Sequence, residues 1–371
     1  MSVQIPVSAE HPYQVIVGDG MISCLADHVG HSRVAVIYSQ DRPELAAAVA
    51  KALHVGEVGE RSSLEDQKVI WLSVPDGEDA KTAAQAVRLW DDLAEARFSR
   101  SDIIVGIGGG AVTDLAGFIA ATWLRGVGYI SVPTSVLAMV DAGVGGKTGI
   151  NIPAGKNLVG AFYEPKTVVC DLNFLSGLTE RDLSSGFAEV IKAGFIADTS
   201  ILDLVGTGGL ISLSGDTRAE LIAKAIQVKA TVVTSDLKER GVGAGGIGRE
   251  QLNYGHTLGH AIENREHFRL RHGECVSIGM VFAAKLAALA GLIPDDLVDT
   301  HIDILTSLNL PVGYRGVDLD DLMEGIRLDK KTRSGTLRFV VLDRHFGSTR
   351  ILSDPNPAWL AEAFSLTNAL A

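Results

Sequence analysis

The chain changes its hydrophobic rhythm once, near residue 178, and that change does most to limit what it can fold into. Before it, short β-branched runs (VQIPV, YQVIVG, RVAVIYS, VIWLSV, DIIVGIG, YISVP and TVVCDL) alternate with stretches of helical periodicity such as residues 80–96. Strand and helix in turn, with apolar strands, call for a parallel sheet covered on both faces. After it, helical stretches follow one another at 180–196, 218–236, 251–263, 275–290 and 320–328, interrupted by one hairpin-like pair, LRFVVL and TRILS. The chain has 371 residues, too many for one ordinary core. The expected fold is an α/β domain with a Rossmann-like parallel sheet over residues 1–178, then a mostly α-helical domain over 179–371.

The formal net charge of −12 argues against a nucleic-acid partner, and no basic stripe with interleaved aromatics is present. An acidic chain binds an acidic ligand only by concentrating Lys and Arg locally. The cysteines, Cys24, Cys170 and Cys275, are odd in number and scattered, so no disulfide framework or zinc knuckle is expected. The N-terminal residues lack the basic and apolar regions of a signal peptide. The apolar run 276–293 carries Lys285 at its middle and is rich in Ala and Gly, which reads as a buried core helix rather than a membrane span. The expectation is a cytoplasmic protein without a membrane partner.

Residues 102–107 form a strand that runs into Gly108, Gly109 and Gly110 and then into the helical AVTDLAGFIAATWL. Strand, glycine turn and helix N-terminus make an anion site, because amide N–H groups point outward and missing Cβ atoms let a pyrophosphate approach. Gly106, Gly108 and Ala111 fit G-x-G-x-x-G/A, a weak pattern that a ligand-free βα turn also satisfies. No acidic residue ends the following strand to complete the fingerprint. A second segment, Asp76-Gly77-Glu78-Asp79-Ala80-Lys81, also follows a strand and opens a helix; its plainer reading is an acidic helix N-terminus.

Three segments of the second half carry metal-ligating residue types: SGFAEVIK around Glu189, NYGHTLGH with His256 and His260, and RHGE with His272. His256 and His260 are four apart and share a helix face. The spacing is that of HExxH, but Thr257 stands where a metalloprotease needs its glutamate. A histidine pair alone is more often structural. A third imidazole and a carboxylate in an apolar helix change the balance, since one Glu and two His leave a tetrahedral ion an open position for chemistry. Spacing leaves open which two of the three histidines bind. Residues 140–157, VDAGVGGKTGINIPAGKN, hold five glycines and two lysines and read as a mobile, phosphate-facing loop carrying Asp141, Lys147, Lys156 and Asn157. The spacing is not that of a P-loop.

Together with SVPTSVLAMVDAGVGGKTGIN, HGECVSIGM and DKKTRSG, these segments closely resemble the 3-dehydroquinate synthases, sugar-phosphate cyclases of the shikimate pathway, over nearly the whole chain. The resemblance implies that Glu189, His256 and His272 ligate Zn2+ (or Co2+), leaving His260 to substrate. It implies NAD contacts from Asp76, Gly77, Glu78, Asp79, Ala80 and Lys81; from Gly110, Ala111, Val112, Thr113 and Asp114; from Thr134, Ser135, Lys147 and Lys156; and from Phe174, Leu175, Ser176 and Gly177. Asp141, Lys147, Asn157, Lys192, Lys229, Arg249, Asn253, His260 and one of Lys330 or Lys331 would contact a small sugar-acid phosphate. Arg125 would reach the neighbouring site of a homodimer. The family usually has a D-E-x-E-x-G-x-R stretch before L-N-x-G-H-T; here a glycine-rich insertion at 241–248 precedes Arg249, and its expected place is a flexible bulge near the substrate mouth.

The implied reaction converts 3-deoxy-D-arabino-heptulosonate 7-phosphate to 3-dehydroquinate and phosphate, by transient oxidation, phosphate elimination, reduction and aldol closure, with NAD regenerated. Two rivals share the features: a cyclase forming an inosose or valiolone, whose substrate lacks the carboxylate that Arg249, Asn253 and Lys229 would meet, and a metal-dependent glycerol or alcohol dehydrogenase, which would release reduced cofactor.

Overall fold

The computed structural model describes residues 2–56, 68–206, 208–239, 247–267, 269–330 and 336–371, without the side chains of residues 211, 324, 325 and 327–330. The chain divides into two compact units, Met1–Leu178 and Thr179–Ala371.

The first unit is built on a seven-stranded sheet of order β1-β2-β9-β6-β5-β3-β4. Its strands are β1 (Ser2–Val7), β2 (Tyr13–Gly18), β3 (Val34–Ser39), β4 (Val69–Val74), β5 (Ile103–Gly108), β6 (Gly128–Pro133) and β9 (Thr167–Asp171). Only β1 runs antiparallel, against β2; the other pairings are parallel. Every residue of β5 is buried, as a strand covered on both faces requires. The helices α1 (Leu25–Val29), α2 (Pro43–Ala52), α3 (Ala83–Glu95) and α4 (Gly110–Thr122) supply that cover. Two apolar clusters sit on the two sides, one joining Leu72, Leu89, Leu115 and Ile119, the other Leu25, Val36, Leu45 and Val105. From β3 the chain crosses to β4 on one side and then returns to β5 on the other. Strand order therefore reverses between β3 and β5, and the carboxyl end of β5 at that reversal is the glycine turn 108–110, where open α/β sheets bind ligands.

Residues 140–157 are not the mobile loop expected from their glycines. A short π-helical turn, Ala138–Ala142, leads into β7 (Lys147–Ile152), which pairs antiparallel with β8 (Gly155–Phe162). The ladder from Lys147↔Phe162 to Ile150↔Val159 satisfies the backbone that a loop would leave to water. Alternation was hidden because Lys147, Thr148, Gly149, Gly155 and Gly160 stand among its paired positions in place of apolar residues.

The second unit consists of helices α5 (Glu180–Ile196), α6 (Ser200–Val205), α7 (Gly209–Ser212), α8 (Gly215–Ser235), α9 (His256–Arg265), α10 (His272–Leu289), α11 (Asp295–Ser307), α12 (Leu319–Lys330) and α13 (Pro357–Asn368), with the hairpin β10 (Arg338–Asp343) and β11 (His345–Ser353). Helix α10 is its centre and packs against α5, α9, α11, α13 and β10. It is the one helix among the described residues long and apolar enough to cross a membrane, yet it is 78% buried within the fold. Lys285, inside it, sends its ammonium to the carbonyl of Leu366 on α13. The expected helix 251–263 is shorter than its periodicity suggests. Gly255 adopts φ 77°, a left-handed conformation that costs glycine little, so a 3-10 turn (Gly248–Asn253) precedes and α9 starts at His256.

Two glycines on α10 set how near its neighbours come. A Cβ on Gly273 would lie 1.8 Å from the carbonyl oxygen of Ser185 on α5, and one on Gly279 would lie 1.9 Å from the carbonyl oxygen of Gly255. Main chain thus meets main chain beside each helix start that carries a histidine, and the Gly273 N–H donates to the Ser185 hydroxyl at 3.1 Å.

Candidate active site

In the second unit, α5, α9 and α10 bring the predicted ligand types together. Glu189 Oε1 lies 3.4 Å from His256 Nε2 and 3.4 Å from His272 Nε2. With bonds of about 2.0–2.2 Å, the edge of a tetrahedron around zinc is roughly 3.3–3.4 Å, so these separations fit two edges of one coordination shell. Both rings are oriented for it. His256 Nδ1 donates to the Tyr254 carbonyl at 3.0 Å and His272 Nδ1 donates to Glu263 Oε2 at 3.2 Å, leaving each Nε2 for the carboxylate side. The other oxygen of Glu189 pairs with the Lys192 ammonium one turn along α5. Glu189, Lys192 and His256 are all buried.

The electrostatics match a site awaiting a cation. Burial, reinforced by the nearby Lys192 charge, holds His256 well below the usual imidazole range. For His272 burial pulls the same way, but its hydrogen bonds to Glu189 and Glu263 prevail and push it up to about 10. His260 belongs to the same cluster: ligand atoms of His256, His260 and His272 all lie within 4.8 Å of one another. His260 is exposed, whereas Glu189 Oε1 lies against the rings of His256 and His272.

Of the remaining residues expected in this unit, Lys229 on α8 and Arg249 on the 3-10 turn are buried, and both elements pack together. Arg249 donates its N–H to Asp236 Oδ2 at 3.1 Å and one guanidinium nitrogen to the Leu237 carbonyl at 2.8 Å. Asn253 ends that same turn. Lys330 closes α12 but its side chain, with Lys331 and the insertion up to residue 246, lies outside the described residues. Glu263 was missed by sequence reasoning, although at i+7 from His256 it shares the face that carries both histidines.

In the first unit the glycine turn opens α4 as expected. A Cβ on Gly109 would meet nothing within 4 Å, so the turn leaves space in front of the helix N-terminus, and Thr134 N–H ties the next strand end to the Gly108 carbonyl at 2.9 Å. Gly110, Ala111, Val112, Thr113 and Asp114 form the first turns of α4, Ser135 caps the turn that follows β6, and Phe174, Leu175, Ser176 and Gly177 lie on a 3-10 turn after β9. Open amides at a helix start suit a pyrophosphate. The segment Gly77–Ala80 is a 3-10 turn that delivers Lys81 inward, where its ammonium meets Asp114 Oδ2 at 2.6 Å and Asn157 Oδ1 at 2.5 Å. Burial pushes the Asp114 carboxyl up, and the Lys81 charge opposes it. Glu78 accepts from Asn151 Nδ2 at 2.6 Å and faces Lys156 Nζ at 3.6 Å. Asn151 in turn accepts the N–H of Asn157, which stands at φ 54°. The β7–β8 hairpin is thereby bound to the segment 78–81.

The chain matches the model of the 3-dehydroquinate synthase N-terminal domain over residues 71–185 and that of the C-terminal domain over 186–332. It is 52% identical to the 3-dehydroquinate synthase of Thermobifida fusca over 365 residues, covering 97% of this chain and 95% of the other. It is 49% identical to that of Streptomyces coelicolor over 363 residues, covering 96% and 95%. Among solved structures, the 2-epi-5-epi-valiolone synthase ValA of Streptomyces hygroscopicus, bound to NAD+ and Zn2+, superposes with a TM-score of 0.85 at 26% identity, covering 97% of this chain and 98% of that one. A glycerol dehydrogenase from Sinorhizobium meliloti, at TM-score 0.62 and 16% identity over 96% of each chain, shares the fold alone.

Proposed function

Because the chain belongs to the 3-dehydroquinate synthase family, we propose that Glu189, His256 and His272 hold its divalent ion, and that its first unit takes NAD at the glycine turn. The function is the family's: 3-deoxy-D-arabino-heptulosonate 7-phosphate is converted to 3-dehydroquinate and phosphate. The observation that carries the residue assignment is the position of Glu189 Oε1 at 3.4 Å from two Nε2 atoms whose Nδ1 protons are already engaged. When bound, zinc supplies a Lewis acid that lowers the pKa of a coordinated hydroxyl, and NAD supplies a hydride acceptor that gives the hydride back.

The chain's own residues then bind and orient. Glu189, His256 and His272 would hold the ion with three protein ligands and leave it open to a substrate oxygen. Lys192, with its ammonium on the outer oxygen of Glu189, pairs with that carboxylate and would place positive charge next to the ion. Lys147, Asn157, Lys192 and His260 would hold phosphate oxygens, Asp141 would contact the substrate, and Asn253 would meet its carboxylate. Arg249, Lys229 and a lysine of the pair 330–331 take the carboxylate, for which a guanidinium fork is suited. Arg249→Ala then raises KM chiefly, and an unchanged KM removes Arg249 from the substrate site.

The enzyme is in this reading a phosphate-eliminating lyase of the cytoplasm. A homodimer reached by Arg125 is supported by apolar side chains left exposed in the first unit, Leu124 at 39%, Leu158 at 57% and Phe162 at 45%. Light scattering tests the dimer. The function is tested by supplying purified protein with NAD, zinc and the heptulosonate phosphate: phosphate and 3-dehydroquinate form in equal amounts without net reduced cofactor. Accumulating NADH, or full turnover after metal removal, overturns the assignment.

A further inference from the structure

We propose that Glu263 is a positioning residue of the cation site, holding the Nδ1 proton of His272 so that Nε2 is the atom presented to the ion; this rests on the ligand assignment above. His256, His260 and Glu263 occupy positions i, i+4 and i+7 of α9, one face of the helix. That face meets the start of α10, where Glu263 Oε2 lies 3.2 Å from His272 Nδ1. A carboxylate oxygen only accepts, so the proton of this contact belongs to Nδ1.

The two imidazoles need different support. His256 leans on the carbonyl of Tyr254, a main-chain atom two residues away on its own segment, which no side-chain replacement removes. His272 is the first residue of its helix and its side chain is 20% exposed, so nothing on its own segment fixes the ring. A neutral imidazole has two tautomers, and one of them puts the proton on the nitrogen that must ligate. Glu263, 15% exposed and reaching across from α9, selects the other and holds the ring plane toward Glu189. Carboxylate–histidine–metal relays of this kind raise ligand basicity as well as fixing orientation.

The experiment partitions zinc between the protein and a chromophoric chelator for the unaltered chain, Glu263→Ala, Glu263→Gln and Glu189→Ala, and records the thermal midpoint of each zinc-free protein. Glu263→Ala is expected to weaken zinc binding by roughly 10–100-fold. Glu263→Gln, whose amide oxygen still accepts from Nδ1, loses less, and both zinc-free midpoints stay at that of the unaltered chain. Undiminished affinity in Glu263→Ala, with Glu189→Ala impaired, overturns the inference and leaves the ligand reading standing. Undiminished affinity in Glu189→Ala overturns the ligand reading and this inference with it. Equal losses in both Glu263 variants with a lowered zinc-free midpoint make the residue structural only and also overturn it.

Discussion

Gly273→Ala should damage the cation site without touching a ligand. The added methyl would lie 1.8 Å from the Ser185 carbonyl oxygen, whereas real Cβ contacts do not fall below 3.0 Å, so α10 must retreat from α5 by just over an ångström at this point. Both colliding groups sit on backbone, and no rotamer change relieves them. His272 is the adjacent residue and Glu189 is on α5, so the displacement falls on their 3.4 Å separation. Widening it by an ångström takes it well past the roughly 3.3 Å edge that a tetrahedral zinc spans. The overpacking itself costs about 1–3 kcal/mol, while a 1 Å misplacement of reacting groups can cost about a hundredfold in rate. Zinc partition and phosphate release measured on the same preparation, with Gly215→Ala as control, read both effects. The Gly215 Cβ would meet nothing within 4 Å. A Gly273→Ala protein that binds zinc and turns over like the control would refute the claim that this backbone contact sets the ligand spacing.

Three further outcomes are expected. Glu189→Gln abolishes turnover with the fold retained, checked by phosphate release and circular dichroism; full activity would contradict the ligand assignment. Lys81→Met leaves the partly buried Asp114 carboxylate without its cation and costs about 3 kcal/mol in urea unfolding; a loss below 1 kcal/mol would mean the pair is unimportant to the fold. His301, fully buried and stacked on Phe195, donates Nδ1–H to the Leu297 carbonyl and receives the Tyr254 hydroxyl at 2.8 Å. Burial lowers it to about 4. Its folded value lies below its unfolded one, so it stabilises the fold fully above about pH 6.5 and loses that contribution as pH falls toward 4, about 2 kcal/mol by pH 5. The stability gap between the unaltered chain and His301→Gln should shrink by that amount between pH 7 and pH 5, and a constant gap would count against the assignment.

Much of this was legible in the sequence, for identifiable reasons. Strand–helix alternation survives because each parallel strand is apolar on both faces, and the glycine turn is visible because three glycines stand between a strand and a helix. The β7–β8 hairpin was not legible, since Lys147, Thr148 and Gly149 open its ladder without apolar alternation. The start of α9 was misplaced because periodicity continues through Tyr254 and Gly255, whose backbone angles break the helix. Helices α11 and α13 went unread, although Asn356 and Pro357 form an N-cap and first-turn signal for the latter. Spacing could not say which two of the three histidines bind; that Glu189 lies against His256 and His272 is a tertiary fact, set by how α5 packs on α9 and α10. Glu263 was readable only by continuing the stripe one turn further.

The main-chain contacts at Gly273 and Gly279 also bear on how this centre tolerates change. At these two points the approach of α10 to its neighbours is limited by carbonyl and Cα atoms rather than by side-chain volume, so a side chain added at either glycine would push the helices apart. These contacts hold the start of α10 close to α5 and the start of α9 close to α10 through backbone atoms alone, so the proposed ligands are brought together by the packing of the chain itself.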